Sequence, residues 1–342
     1  MQLLGLIARR SAWVIPVALG VATLTFFFAR IFGGDPIGQY LPLEASDDAL
    51  RDAIAARYGL DLPLWQQYLN FLAGVFTFDL GESMSTGQPV LNDILSRLPA
   101  TLELAIFGLT FGTIFGIVIG VIAAVRPDGI VDWFARGIVI GGMAMPSFVT
   151  GLILMLVFAV TLGVLPGPVG RRSVGSEPPP QVTGFYVVDS LLAGNMDMFW
   201  DSLAHLALPI ATLTIGVMAP VARVVRSAMV ESLQSEYVRT SVAMGHGQTR
   251  VWFDHALRNA LLPTVTLLAE AFSFTFGGAI LVESIFGWPG IGQYTLQVTL
   301  ASDFPSLQGV VLYAAFLTVL AYLIADVLYM LIDPRTRTAV RV

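Results

Sequence analysis

Ala100-Thr-Leu-Glu-Leu-Ala-Ile-Phe-Gly-Leu-Thr110-Phe-Gly-Thr-Ile-Phe-Gly-Ile-Val-Ile-Gly120-Val-Ile-Ala-Ala-Val125 holds a single ionisable side chain, Glu103. A helix needs roughly 20 predominantly apolar residues to cross a hydrocarbon core of about 30 Å, so this stretch reads as a membrane span. Five more stretches have the same character: residues 12–31, 138–164, 202–225, 261–286 and 307–332. The first follows Arg9 and Arg10 in the manner of a secretion signal. It is long, however, and ends in Phe-Phe-Phe-Ala-Arg30 rather than in a small-residue cleavage site, so it is read as a retained helix. The expected fold is an all-α polytopic membrane protein of about six spans.

Composition agrees. Of 342 residues, 56% are hydrophobic and 12% charged, with a mean hydropathy of +0.76; soluble domains carry about 25% charged residues. The chain has no cysteine, which excludes disulfides, thiol catalysis and thiolate metal sites. It also has no lysine: all 18 basic residues are arginine. A phosphate-binding loop of the Gly-x-x-x-x-Gly-Lys-Ser/Thr type needs its lysine on the nucleotide phosphates. If transport consumes ATP, another polypeptide must bind it.

Arginine placement predicts the orientation. With both termini in the cytoplasm, the inner segments hold 12 arginines against six acids (Asp128, Asp132, Glu231, Glu236, Asp254 and Asp333), while the outer segments hold six arginines against 15 acids. Three more acids, Glu103, Glu270 and Asp326, fall within spans; Glu283, near the outer end of the fifth, is counted with the outer segments. The acidic balance argues against nucleic acid as a partner. Three divisions are expected: residues 1–31 (N-terminus and first span), 32–97 (a helical outer segment) and 98–342 (the transmembrane core). In the outer segment Ser46 is positioned to cap one helix that Gly59 ends, and a second helix starts near Pro63. The second places Trp65, Tyr68, Leu69, Leu72 and Phe76 on one face, read as the core of a folded cap in preference to a substrate-contacting surface.

The link between the fourth and fifth spans, about residues 226–262, looks ordered. In Ser235-Glu-Tyr-Val-Arg-Thr-Ser-Val-Ala-Met-Gly245, Ser235 is a suitable N-cap, Glu236 complements the helix dipole and Gly245 supplies a left-handed terminator. Residues 249–259 form a second helical stretch, and Pro263 suits the first turn of the fifth span. Two uses fit this helix pair: a docking site for a partner, or an amphipathic surface anchored by Trp252, Phe253 and arginines.

The motif Glu236-Tyr-Val-Arg-Thr-Ser-Val-Ala-Met-Gly245, continuing to His255-Ala-Leu-Arg-Asn-Ala-Leu-Leu-Pro263, resembles the signature loop of binding-protein-dependent ATP-binding-cassette importers, in particular the dipeptide/oligopeptide permeases. The resemblance covers nearly the whole chain. It takes in Asp35-Pro36, Tyr58-Gly-Leu-Asp61, Asp79-Leu-Gly-Glu-Ser83, Leu98-Pro-Ala-Thr-Leu-Glu-Leu104 and His205-Leu-Ala-Leu-Pro209. It continues through Glu283-Ser-Ile-Phe-Gly-Trp-Pro-Gly-Ile-Gly292, Asp303-Phe-Pro305 and Asp333-Pro-Arg335. The chain departs from the family pattern at Met244, usually basic, at His246, usually aliphatic, and at Phe78, usually glycine.

The resemblance implies a type I importer permease fold and a permease subunit in a bacterial inner membrane, carrying peptides or similar small solutes and forming half of a pathway. It implies a second permease subunit, one or two ATPase subunits that bind ATP and Mg, and an extracytoplasmic binding protein. Glu236, Tyr237, Val238, Arg239, Ala243, Met244, Gly245 and His246 would form the ATPase-docking loop. The competing readings are different in kind. Catalysis within the membrane finds no support in His205, His246 and His255, which form no metal-binding spacing. An ion-coupled carrier would use Glu270 and Asp326, each roughly 10 Å from the inner surface; alternatively these acids pair with Arg223 or Arg226, or cap backbone.

Overall fold

A computed structural model describes residues 15–28, 30, 48–57 and 59–332, and among these the regular structure is helical. The Ser46 cap, Asp35-Pro36, Tyr58 and Asp333-Pro-Arg335 lie outside the described residues. The expected spans fall on α1 (Ile15–Phe28), α4 (Val90–Val125), the pair α5 (Ile130–Ala144) and α6 (Ser147–Leu154), α8 (Met196–Gln234), α11 (Arg258–Phe286) and α13 (Phe304–Ile332). Among the described residues α4, α8 and α13 each pass as a membrane span by length and composition, as does the bent pair taken as one.

Two compact units divide the chain. One comprises residues 99–292 and 318 onward, and the other residues 3–98 and 293–317.

The larger unit is organised by glycine. Gly108, Gly112, Gly116 and Gly120 of α4 face Leu213, Val217, Val221 and Val225 of α8, four residues apart on both helices. A Cβ at any of the four would stand 2.6–2.8 Å from the opposing side chain. In lipid, small residues let helix backbones approach closely enough for dispersion contacts to hold them. Residue numbers rise together along the two helices, so α4 and α8 run parallel. The chain between them must therefore cross the membrane once in the other direction, and α5 with α6 is that crossing.

This crossing differs from the continuous helix expected at residues 138–164. It starts earlier, at Ile130, and bends by 106° between α5 and α6. The cause is local: Pro146 has no N–H to donate, and the residue before a proline is pushed out of the α region. Met145 accordingly sits at φ −93°, ψ 123°. The helix continues past Leu154 as a wider π turn over Met155–Thr161.

Pro263 differs too. It lies inside α11 rather than in its first turn, because the helix is already formed by the π turn Val251–Leu257 that runs into Arg258. A left-handed Gly287 (φ 62°) ends α11.

The smaller unit contains α1, α2 (Asp48–Arg57), α3 (Leu64–Thr77), the start of α4, most of α12 (Ile291–Leu300) and the first half of α13. Its centre is polar. The buried Asp303 accepts hydrogen bonds from the Ser83 hydroxyl (2.7 Å), the Ser85 N–H (3.1 Å) and the Ser306 hydroxyl (2.9 Å). The Tyr294 hydroxyl lies between Ser306 Oγ at 2.9 Å and Asp93 Oδ2 at 3.2 Å. Burial alone would raise the Asp303 carboxyl, but the Ser83, Ser85 and Ser306 donors outweigh it and hold the group below its usual range.

Candidate functional site

The docking element begins where α8 stops. Ser235 takes an extended conformation (φ −72°, ψ 153°), which separates α8 from α9 (Glu236–Ala243). The expected Ser235 cap is not made: its hydroxyl turns back to the Ser232 carbonyl at 2.5 Å, and it is the Ser235 carbonyl that accepts from the Val238 and Arg239 N–H groups at 3.2 and 3.1 Å. Gly245 behaves as expected, at φ 81°, a region that side chains with a Cβ rarely occupy. The turn there closes through Gly245 N–H to Val242 O (2.9 Å) and His246 N–H to Ser241 O (3.3 Å).

α9 has two faces. Val238 and Ser241 are buried and anchor it, whereas Glu236, Tyr237, Arg239, Ala243, Met244 and Gly245 are exposed. Arg239 Nη1 donates to Glu236 Oε1 at 2.9 Å within the same helix, so its ion pair stabilises α9 itself. The chain returns through α10 (Gln248–Arg250), continued by the π turn, with Val251 and Ala256 buried and Phe253 exposed. His246 is pinned by Ser241 Oγ (2.8 Å) and its ring stacks on His255 with centroids 5.5 Å apart. Nothing in the spacing of the two histidines announces that contact, because it depends on the angle of the Gly245 turn.

The intramembrane acids separate. Glu103 is buried, bonded to Arg171 Nη2 at 2.5 Å and to the Val187 N–H at 3.1 Å. Arg171 also donates to Gly184 O (2.7 Å) and lies 3.6 Å over the Tyr186 ring. Glu270 and Asp326 follow Ala269 and Ala325, which pack together with Val265; Glu270 is exposed and Asp326 half-buried. Arg226, one of the partners expected for these acids, is bonded to Asp132. Its Nε and Nη2 donate to the two Asp132 oxygens at 2.6 and 2.8 Å. Asp132 is fully buried and also receives Arg136.

Sequence reasoning overlooked two sites. Asp132 was counted only as an inner-segment charge. Glu283 was read only as part of a motif; it is buried, takes the Thr101 hydroxyl at 2.7 Å and packs against Gly290 and Gly292 where a Cβ would overlap it. The signal was present in that acid followed by a Gly-x-Gly pair. Beside it the Trp288 indole donates to Ala100 O at 2.9 Å. Among the described residues no three His, Asp or Glu side chains converge as a metal site.

Residues 116–338 match the family model of the binding-protein-dependent transport system inner membrane component. The chain belongs to that family. It is 39% identical over 335 residues to the di/tripeptide transport system permease protein DppB of Pseudomonas aeruginosa (strain UCBPP-PA14), covering 98% of this chain and 99% of the relative. It is 38% identical to the probable D,D-dipeptide transport system permease protein DdpB of Escherichia coli (strain K12), covering 96% of each. Identity to the oligopeptide transport system permease protein AppB of Bacillus subtilis (strain 168) is 34%, over 96% of this chain and 98% of the relative. The protein is thus a multi-pass permease subunit of an ATP-binding-cassette importer, and the ion-coupled carrier is not favoured. Permease subunits of these importers are generally non-catalytic.

Proposed function

We propose that this permease carries peptides, as the names of its relatives suggest, and that Glu236–His246 is the element on which an ATPase subunit docks. The observation that carries the reading is that α9 is anchored by the buried Val238 and Ser241 while an apolar crest flanking that anchor, Tyr237 and Met244 on one side and Val242 on the other, is exposed. A helix lying in headgroups would be held by its apolar face; here the apolar crest is open while the row between its two sides, Val238 and Ser241, already holds α9 against the protein. Closure of the ATPases on ATP would push on this crest. α8 enters α9 through a single extended residue, so the push reaches the α4–α8 pair as rigid-body motion.

The remaining parts follow from the family role. A second permease subunit completes the pathway, one or two ATPase subunits bind ATP and Mg, and a binding protein delivers solute to the outer segment. The chain itself binds no nucleotide and catalyses nothing. It sits in a bacterial inner membrane with both termini cytoplasmic, in keeping with the arginine asymmetry.

Gly245→Val forces a β-branched residue toward φ 81°, and Glu236→Arg places a positive charge at the positive end of the helix dipole. Both variants are expected to insert normally, to lose ATPase subunits on gentle purification and to lose peptide uptake. Full retention of both properties in both variants refutes docking at this loop.

A further inference from the structure

α3 has no charged residue in its 14 positions, Leu-Trp-Gln-Gln-Tyr-Leu-Asn-Phe-Leu-Ala-Gly-Val-Phe-Thr77, and none of them is buried. Its faces are nevertheless distinct. Tyr68 and Phe71 pack on α1: the Tyr68 hydroxyl meets Thr23 Oγ1 at 2.6 Å, and Phe26 stacks near Tyr68 (5.4 Å) and Phe71 (5.5 Å). Gln66, Gln67 and Asn70 form a polar side, and Gln67 Nε2 ties it to the Leu60 and Leu62 carbonyls. Trp65, Leu69 and Phe76 form a third stripe, one turn or two apart, and are 64%, 53% and 64% exposed. The sequence pattern makes these three, with Tyr68 and Leu72, the core of a cap; of the five, Tyr68 makes the contact with α1, beside Phe71.

The contact with α1 sets the depth. Thr23 and Phe26 lie seven and four residues before Arg30, the charge that closes the first span. At 1.5 Å per residue that is about 10 and 6 Å below it. Interfacial helices lie with their apolar face about 5–10 Å into the boundary between headgroups and acyl chains. At that depth a charged side chain would be costly, which explains an amphipathic helix whose polar side is only Gln and Asn. Leu24 and Phe28, exposed on α1, are apolar as well, as a helix facing lipid requires.

We propose that α3 is a membrane-interface helix, with Trp65, Leu69 and Phe76 seated in the lipid leaflet at the Arg30 end of α1. Such seating fixes the start of the extracytoplasmic segment against the bilayer plane independently of any protein partner.

This chain has no cysteine, so with any cysteines of the partner subunits replaced each label is unique. Leu69→Cys, Phe76→Cys and Asn70→Cys are each labelled with a nitroxide in the complete transporter, reconstituted with its partner subunits in lipid nanodiscs. Ala73→Cys, an exposed and nearly isosteric change, provides a second stripe-edge position. Oxygen concentrates in lipid and a nickel chelate in water, so their relaxation effects report the surroundings. Greater oxygen than nickel accessibility at Leu69→Cys, Phe76→Cys and Ala73→Cys, with the reverse at Asn70→Cys, is the expected result. Nickel-dominated relaxation at the stripe overturns the proposal in favour of a water-exposed face. Protection from both reagents overturns it in favour of a surface covered by another subunit.

Discussion

Glu103 and Glu236 each pair with an arginine, at 2.5 and 2.9 Å, yet they belong to opposite regimes. The Glu103 side chain is fully buried and its partner Arg171 is 8% exposed, at the end of the core where α4, α7 (Tyr186–Leu192) and the C-terminal turn of α11 meet. The Glu236 and Arg239 side chains are 86% and 67% exposed on the docking helix. Water screens the second pair, so its contribution is small. The first pair cannot be relaxed by solvent, so each charge depends on the other. One end of the core holds its charges in buried internal contacts, and the other presents them to solvent.

Removing one charge from the buried pair is the harshest way to break that contrast. Arg171→Ala leaves Glu103 uncompensated and is expected to cost about 3–5 kcal/mol. Thermal unfolding of the purified protein in detergent checks this, and Glu103→Gln on top of Arg171→Ala should recover part of the loss. A fall no larger than that of a surface variant would mean that solvent reaches the pair.

A smaller effect is expected midway between the two ends. In Gly112→Ala the new methyl would stand 2.6 Å from Val217 Cβ and 3.1 Å from the Thr214 carbonyl, so the helices must part. Overpacking of this kind costs about 1–3 kcal/mol. Gly141→Ala, with open space around its Cβ, is the matched control in the same unfolding measurement.

Acid sharpens the comparison further. Burial pushes the Asp189 carboxyl up, but the hydroxyl and N–H of Thr183 and the N–H groups of Gly184 and Val182 prevail and hold it below the ordinary value. A carboxylate with a depressed folded pKa contributes stability that is complete above the unfolded value of about 3.9 and is lost as pH falls through the folded value. The thermal midpoint should therefore drop below about pH 4, and Asp189→Asn should flatten that drop. An unchanged slope in Asp189→Asn would remove Asp189 from the account.

The smallest change in stability is expected at the docking crest. Met244→Ser alters an exposed side chain and should stay within about 0.5 kcal/mol of the parent. Association with the ATPase subunit should nevertheless weaken, read by co-purification. A loss of stability without a loss of association would make Met244 an anchor and shift the docking surface elsewhere.

The spans, the Gly245 turn and the helical character of residues 235–259 were legible in the sequence, because each is decided by residues that are neighbours along the chain. Apolar run length, the permissive φ of glycine and the break at Met145-Pro146 are local properties, although the last was legible and went unread. What only tertiary structure decided is which polar groups meet. Glu103 finds Arg171 across 68 residues, Asp132 finds Arg226 across 94, and Asp303 finds Ser83 across 220. No periodicity connects such positions. Inside the larger unit, the packing of α5 on α8 brings Asp132 to Arg226, while the loop before α7 carries Arg171 to Glu103 on α4, itself set against α8 by four glycines admitting four branched side chains. The chain determined that these charges would be costly in lipid, and the packing determined how each was compensated.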